Sequence, residues 1–292
     1  MELTASAGTV DLDFLKAALP PRRIDGHKGT FGKLLIIGGA VGYTGAPYLA
    51  AAAAVRTGCG LVSLGVPESI WPVEAVKCVS AMPFPLPEEN GMLSGKALPQ
   101  ILEKLSGCDV LALGPGLGRS RQTAELVWEL LKTEKPVVLD ADGINALAGH
   151  IDILDARRGK ITVLTPHDVE FARVGGDLSC GDRAAAARDF AVTHGCVLVL
   201  KGHRTVTAAP EGGTLVNTTG GSGLAKGGSG DVLTGVIASL LAQRAGAVQA
   251  AAAGVWIHGR AGDLAERELT AYGMTPEDTV NHLPPAIREI LE

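Results

Sequence analysis

The stretch LLIIGGAVGYTGAPYLAAAAAVRTGCGLVSLGV, residues 34–66, decides the fold. Leu34, Leu35, Ile36 and Ile37 run straight into Gly38 and Gly39, which reads as a strand buried on both faces and entering a tight turn. Residues 47–58 then read as a helix, with Pro47 in the first turn, where its missing N–H costs nothing, and Gly58 just past the end. Residues 61–66 are a second apolar run. Strand, glycine turn, helix and strand in that order make a parallel βαβ unit. Residues 34–55 carry no charge, yet Gly38, Gly39, Gly42, Gly45 and Pro47 break the run and make it a poor membrane span.

The alternation continues on both sides of this unit. Residues 12–19 read as a lead-in helix stopped by Pro20 and Pro21. Residues 110–114, 137–141, 161–165 and 197–201 read as further strands, with helical stretches at 121–132 and 182–194 between them. Residues 204–209 and 213–217, joined by a turn at 210–212, read as an antiparallel hairpin. Val232, Leu233, Val236, Ile237, Leu240 and Leu241 then fall on one helical face, and an alanine-rich helix follows over residues 247–267. Thr275 and Asp278 bracket a capping box with Pro276 at the first helical position. The expected fold class is therefore α/β, three layers with a mostly parallel central sheet and a late antiparallel hairpin. No linker or repeat divides residues 1–292, so one domain is expected.

Composition narrows the function. The chain has 26 basic and 31 acidic residues, a net charge of −5, and is 46% hydrophobic, which excludes disorder and argues against a nucleic-acid partner. Its 39 glycines in 292 residues are about twice the usual ~7% share, and no periodic tract absorbs them, so they mark particular turns. Cys59, Cys78, Cys108, Cys180 and Cys196 are scattered and odd in number; they read as buried thiols of a reducing compartment. The first residues lack a basic start followed by an apolar core, so a cytoplasmic protein with no membrane partner is expected.

Three glycine clusters, at residues 39–47, 114–118 and 201–205, follow predicted strands, where ligands of open parallel sheets bind. A fourth, TTGGSGLAKGGSGDVLTG at 218–235, heads the apolar-faced helix. Free N–H groups and the helix dipole make that end an anion site. Asp231 sits beside it. Such an acid can simply complement the dipole, but beside a donor-rich pocket it can also take a hydroxyl proton during phosphoryl transfer. The dipole is expected to keep it ionised at neutral pH. No P-loop and no dinucleotide-binding glycine spacing occurs.

These residues resemble the ribokinase-like superfamily and, within it, the ADP/ATP-dependent NAD(P)H-hydrate dehydratases. The matching segments are HKGTFGKLLIIGG (27–39), YTGAPYLAAAAAVRTGCGLV (43–62), LGPGLG (113–118), LDADGINAL (139–147), LTPH (164–167) and residues 217–235. The resemblance implies phosphorylation of the ring hydroxyl of (6S)-hydrated NADH or NADPH, then loss of phosphate, with ADP giving AMP. It implies Asp231 as catalytic base and substrate contact, and Gly227, Gly228, Ser229 and Gly230 as an anion hole. Lys201, Gly202, His203, Arg204 and Thr205, with Gly230, match the nucleotide-binding positions. Ala46, Gly116 and His167 match the hydrate-binding ones. Glu170 lies where related kinases keep an acid that organises Mg2+ through water. Magnesium, ADP or ATP, and a homo-oligomer, in relatives a tetramer, come with the resemblance. Family members are often fused to an epimerase domain, and this chain resembles the dehydratase part alone.

Several residues keep a plainer reading beside the functional one. Lys201 also reads as a strand-end lysine, His167 as a helix cap, and Asp140 and Asp142 as turn-holding acids or a metal pair. The remaining histidines, His258 among them, read as structural or exposed. The chain departs from the family pattern at Asp168 and Val169, where Pro and Gly are usual, and at Gly221 and Ser222, where Asn and Pro are usual. The first change is expected to move Glu170 and add a charge, the second to loosen a turn, while Lys226 is expected to help neutralise phosphate. A kinase of a small alcohol (a sugar, hydroxymethylpyrimidine or thiazole) is the alternative activity on the same fold.

Overall fold

The computed structural model describes residues 8–292, so the reading of the first seven residues as leaderless lies outside it. β1 (Gly8–Thr9) leads into α1 (Leu12–Ala18), which is capped by the Asp11 carboxylate accepting from the Phe14 amide at 2.8 Å. β2 (Lys33–Ile37), α2 (Gly45–Arg56) and β3 (Leu61–Pro67) form the expected parallel unit, with Leu34 opposite Val62 and Ile36 opposite Leu64. α3 (Trp71–Lys77) and β4 (Met82–Leu86) follow, then a small hairpin of β5 (Glu88–Glu89) and β6 (Met92–Leu93), and α4 (Leu98–Ser106). β4 escaped the pattern because it contains Pro83 and Pro85; proline removes ladder donors and survives only at a sheet edge, which is where β4 lies.

β7 (Val110–Leu113), α5 (Arg121–Leu130), β8 (Val137–Leu139), two short helices α6 (Ala141–Asn145) and α7 (Asp152–Asp155), and β9 (Thr162–Leu164) carry the alternation on. α8 (Asp168–Arg173), α9 (Arg183–His194) and β10 (Val197–Leu200) complete it. β11 (Val206–Ala208) and β12 (Thr214–Val216) are the antiparallel hairpin, and α10 (Ser229–Ala242), α11 (Ala247–Gly273) and α12 (Pro276–Leu291) close the chain. The ten-stranded sheet runs β1-β12-β11-β10-β9-β8-β7-β2-β3-β4, and only the pairs made by β11 are antiparallel.

Alternate strand residues feed two cores, as continuous apolar strands require. Leu34, Ile36, Val110, Ala112 and Val199 face a layer built from α2, α10, α11 and α12. Leu35, Ile37, Leu111, Leu113 and Leu198 face a layer built from α4, α5 and α9. α10 is buried along nearly its whole length and lies directly on α2. The approach depends on Gly235, where an added Cβ would sit 2.1 Å from the Ala50 carbonyl oxygen. The alanine faces of α2 and α11 are thereby consumed inside the molecule: Ala50, Ala51, Ala53, Ala54 and Ala250 are fully buried. Among the cysteines the expectation of burial holds for Cys59, Cys108 and Cys196, but Cys78 is half-buried and Cys180 is exposed.

Candidate active site

The glycine turns gather at the carboxyl ends of neighbouring strands. After β2 the chain turns at Gly38 and Gly39, whose amide donates to the Pro115 carbonyl at 2.8 Å and so joins this turn to the one after β7. Gly116 packs against α2: a Cβ there would meet the Tyr43 carbonyl at 2.9 Å and the Ala46 methyl at 3.0 Å. Ala46 and Gly116, separated by seventy positions in the chain, are therefore adjacent. After β8, the Asp142 carboxylate accepts from the Gly118 amide at 3.0 Å and from Arg119 at 2.9 Å, holding the β7 turn.

A second group forms at the ends of β8, β9 and β10. Asp140 is 1% exposed and its carboxylate accepts from Lys201 Nζ at 2.7 Å, Thr165 Oγ1 at 2.8 Å and Thr234 Oγ1 at 2.7 Å. Both acids thus hold structure, in keeping with their plainer reading. Lys201 Nζ also lies 3.7 Å from Glu170. Burial works to lower the Lys201 pKa, but the Asp140 and Glu170 carboxylates outweigh it and the net shift is upward, so the ammonium stays charged. Lys201 sits over the first turn of α10 because Gly230 has no side chain: a Cβ there would stand 3.3 Å from Nζ.

That first turn is headed by glycine and, like those of α2 and α11 beside it, has no side-chain cap. α5, α8, α9 and α12 are capped by the side chains of Ser120, His167, Asp182 and Thr275. α10 instead starts from Gly228, in the left-handed region at φ 102°, with no side-chain cap. Its first amides are left for a ligand, and the dipole favours an anion there. Gly227, Ser229 and Asp231 surround this end. Burial pushes the Asp231 carboxyl up to about 7, helped by Asp140, with Lys201 pulling the other way. This differs from the expectation of an acid kept ionised at neutral pH by the dipole: burial is the largest influence on the carboxyl.

His167 caps α8, its Nδ1 accepting from the Val169 amide at 3.2 Å, and Glu170 returns the contact by accepting from the His167 amide at 2.9 Å. The charge added by Asp168 is met by Arg183 at 2.7 Å, and Glu170 keeps its place in the capping box. Arg183 also donates to the Lys201 carbonyl at 2.8 Å and lines Gly202, a role no sequence pattern announced. His203 and Arg204 are exposed in the following turn, which Thr205 closes by donating to the Gly202 carbonyl at 2.9 Å.

The turn containing Gly221 and Ser222 is not loose. The Gly220 amide donates to Asp263 at 3.0 Å and the Gly223 amide to Glu266 at 3.1 Å. Lys226 donates to the carbonyls of Ala271, Tyr272 and Met274, capping the end of α11 rather than facing the anion site. His258 of α11 lies against the Ser229 backbone; it is buried, neutral with its pKa pushed down to about 4, and its Nε2 has no partner among the described residues.

Among the described residues no three His, Cys, Asp or Glu side chains converge to hold a metal ion. With Glu170 already accepting from a backbone amide and facing Lys201, the donor set fits a magnesium ion that arrives on phosphate with most of its own waters. A concavity of about 1020 Å³ lies at the opposite end of the sheet, at the start of β9 and β10, and contains none of these groups.

Sheet order and flanking layers define an α/β protein of the ribokinase-like fold. Residues 34–285 match the family described as NAD(P)H-hydrate dehydratase, and the chain belongs to that family. It is 44% identical over 282 residues to a bifunctional NAD(P)H-hydrate repair enzyme from Moorella thermoacetica, covering 95% of this chain and 53% of that protein. It is 39% identical over 249 residues to an ADP-dependent (S)-NAD(P)H-hydrate dehydratase from Neisseria meningitidis, covering 83% of this chain and 80% of that one. The ADP/ATP-dependent NAD(P)H-hydrate dehydratase of Bacillus subtilis, co-crystallised with ATP and Mg2+, superposes with a TM-score of 0.81 at 30% identity, covering 97% of this chain and 99% of that one. The chain spans about half the length of the bifunctional relatives it matches.

Proposed function

We propose that this chain is an ADP-dependent (6S)-NAD(P)H-hydrate dehydratase, restoring NADH or NADPH from the hydrated cofactor while ADP gives AMP. ATP can use the same anion site. The observation that supports this best is the union, at one end of the sheet, of an uncapped helix N-terminus, a carboxyl poised near neutrality and a half-buried ammonium. In this reading the phosphate being transferred lies on the amides of residues 227–230. Lys201 and residues 202–205 hold the nucleotide, and Ala46, Gly116 and His167 receive the hydrate.

Asp231 takes the proton of the ring hydroxyl as that oxygen attacks the terminal phosphorus of ADP and the bond to AMP breaks. Hydroxide is a poor leaving group and phosphate a good one. The ring nitrogen then expels phosphate, and loss of a proton from the neighbouring carbon restores the double bond. Magnesium, when bound, screens the phosphate charge, with Glu170 reaching it through water. A homotetramer working in the cytoplasm completes the proposal on the strength of the family resemblance; light scattering tests the tetramer.

The test of the activity is direct. Purified protein is mixed with hydrated NADH, magnesium and ADP or ATP, and the return of reduced-nicotinamide absorbance is followed. Nucleotide-dependent recovery is expected. A folded protein that gives no recovery, yet forms a stable phosphate ester of a small alcohol, would be a kinase instead.

A further inference from the structure

We propose that Asp140 is a positioning residue for the reaction, fixing at once the place of the Lys201 ammonium and the pose of the helix turn that carries Asp231. The inference rests on the dehydratase reading and adds to it a residue that touches neither substrate in that scheme. Asp140 is 1% exposed, and each of its carboxylate oxygens is committed. Oδ1 accepts from Lys201 at 2.7 Å and Thr165 at 2.8 Å, and Oδ2 accepts from Thr234 at 2.7 Å. Thr234 is fully buried one turn after Gly230, within 3.1 Å of the Gly230 carbonyl. One carboxylate therefore ties the ends of β9 and β10 to the first turn of α10. A side chain needed only for folding would not have to place an ammonium over the anion site; two threonine hydroxyls need acceptors but no full charge, whereas the ammonium is held by one.

The charges around Asp231 make the role measurable. Facing it are Asp140 after β8, Asp142 on α6, Glu170 on α8 and Lys201 after β10, with His258 of α11 buried and neutral behind Ser229. Burial and then Asp140 raise the Asp231 carboxyl, so removing the Asp140 charge moves it down.

Asp140→Asn keeps the size but removes the charge that holds Lys201 and turns one acceptor oxygen into an NH2 donor, so one threonine hydroxyl must turn from donating to accepting. The expected result is a kcat lower by about tenfold to hundredfold, from a misplaced ammonium. ADP should also bind more weakly in calorimetric titration, because the displaced Lys201 ammonium is one of the groups that hold the nucleotide, while the melting temperature stays close to the wild-type value. The rising limb of the pH profile should move to lower pH. A kcat within twofold of wild type overturns the proposal, as does a joint loss of ADP binding, activity and melting temperature, which would mean a structural role. Thr234→Val serves if the first variant does not fold. It leaves the charge and alters the pose, so kcat should fall with the midpoint of the pH profile unmoved; wild-type kinetics would overturn the helix-pose half. Wild-type turnover of the hydrate is measured alongside, so that failure of the dehydratase reading shows separately from failure of this one.

Discussion

Asp231 carries two opposing influences, and magnitude decides between them. The α10 dipole favours the carboxylate by a fraction of a charge at a solvated helix end, whereas burial beside Asp140 raises the carboxyl to about 7. A base must be deprotonated to accept a proton, so turnover should rise with pH through about 7 and fall away in mild acid. A pH profile flat from 5 to 8 would remove Asp231 from that role. Asp231→Ala should abolish turnover while ADP still binds in a calorimetric titration, because the backbone amides of the turn remain. At this scale the glycine head and Asp231 were legible because they are contiguous in the chain. Asp140 was only half legible. Its partners lie 25, 61 and 94 positions away, and no local spacing announces a carboxylate shared by three strand ends and a helix. The neutralisation of Asp168 by Arg183 was hidden for the same reason.

Helices α2 and α10 show how an element transmits geometry to the site. α2 carries Ala46 at its start, α10 carries Asp231 at its own, and Gly235 lets the two backbones touch. In Gly235→Ala the new methyl would meet the Ala50 carbonyl, which is backbone and cannot rotate aside, so the helices must part. Overpacking of this kind costs about 1–3 kcal/mol. Thermal melting should fall by several degrees, and kcat should fall as the hydrate-side and base-side residues separate; an unchanged melting temperature would show that the pair can relax freely. The strands and these helices were readable because each is apolar with a clear period. The hold of α11 on residues 220–226 was not, since no local pattern singles out Asp263 or Glu266, and Lys226 reads as a phosphate partner until the fold turns it onto the end of α11. That hold also explains why the missing Asn and Pro at 221 and 222 do not leave the turn slack.

Across the whole molecule, chemistry and stability occupy opposite ends of one sheet. The carboxyl ends of the strands carry glycines, buried charges and an uncapped helix, all of which cost stability. The amino ends of β8 and β9 are held by Arg157, which is 2% exposed. It donates to the carbonyls of Leu131 and Thr133 at 2.7 Å, to those of Lys135 and Ile161, and to Thr162 Oγ1 at 2.9 Å. Burial lowers its pKa to about 10, which still leaves it charged at neutral pH. Replacing it by methionine fills much of the space but takes this donor from the carbonyls of Leu131, Thr133 and Lys135 and from Thr162, while Ile161 keeps the Val137 amide. Breaking such a buried network should cost about 3–5 kcal/mol. Arg157→Met should therefore lower the melting temperature steeply, while kcat per folded molecule, assayed well below the melt, stays at the wild-type value. A parallel loss of kcat at that temperature would mean that strain at the amino ends reaches the site, and that the two ends are coupled through the strands between them.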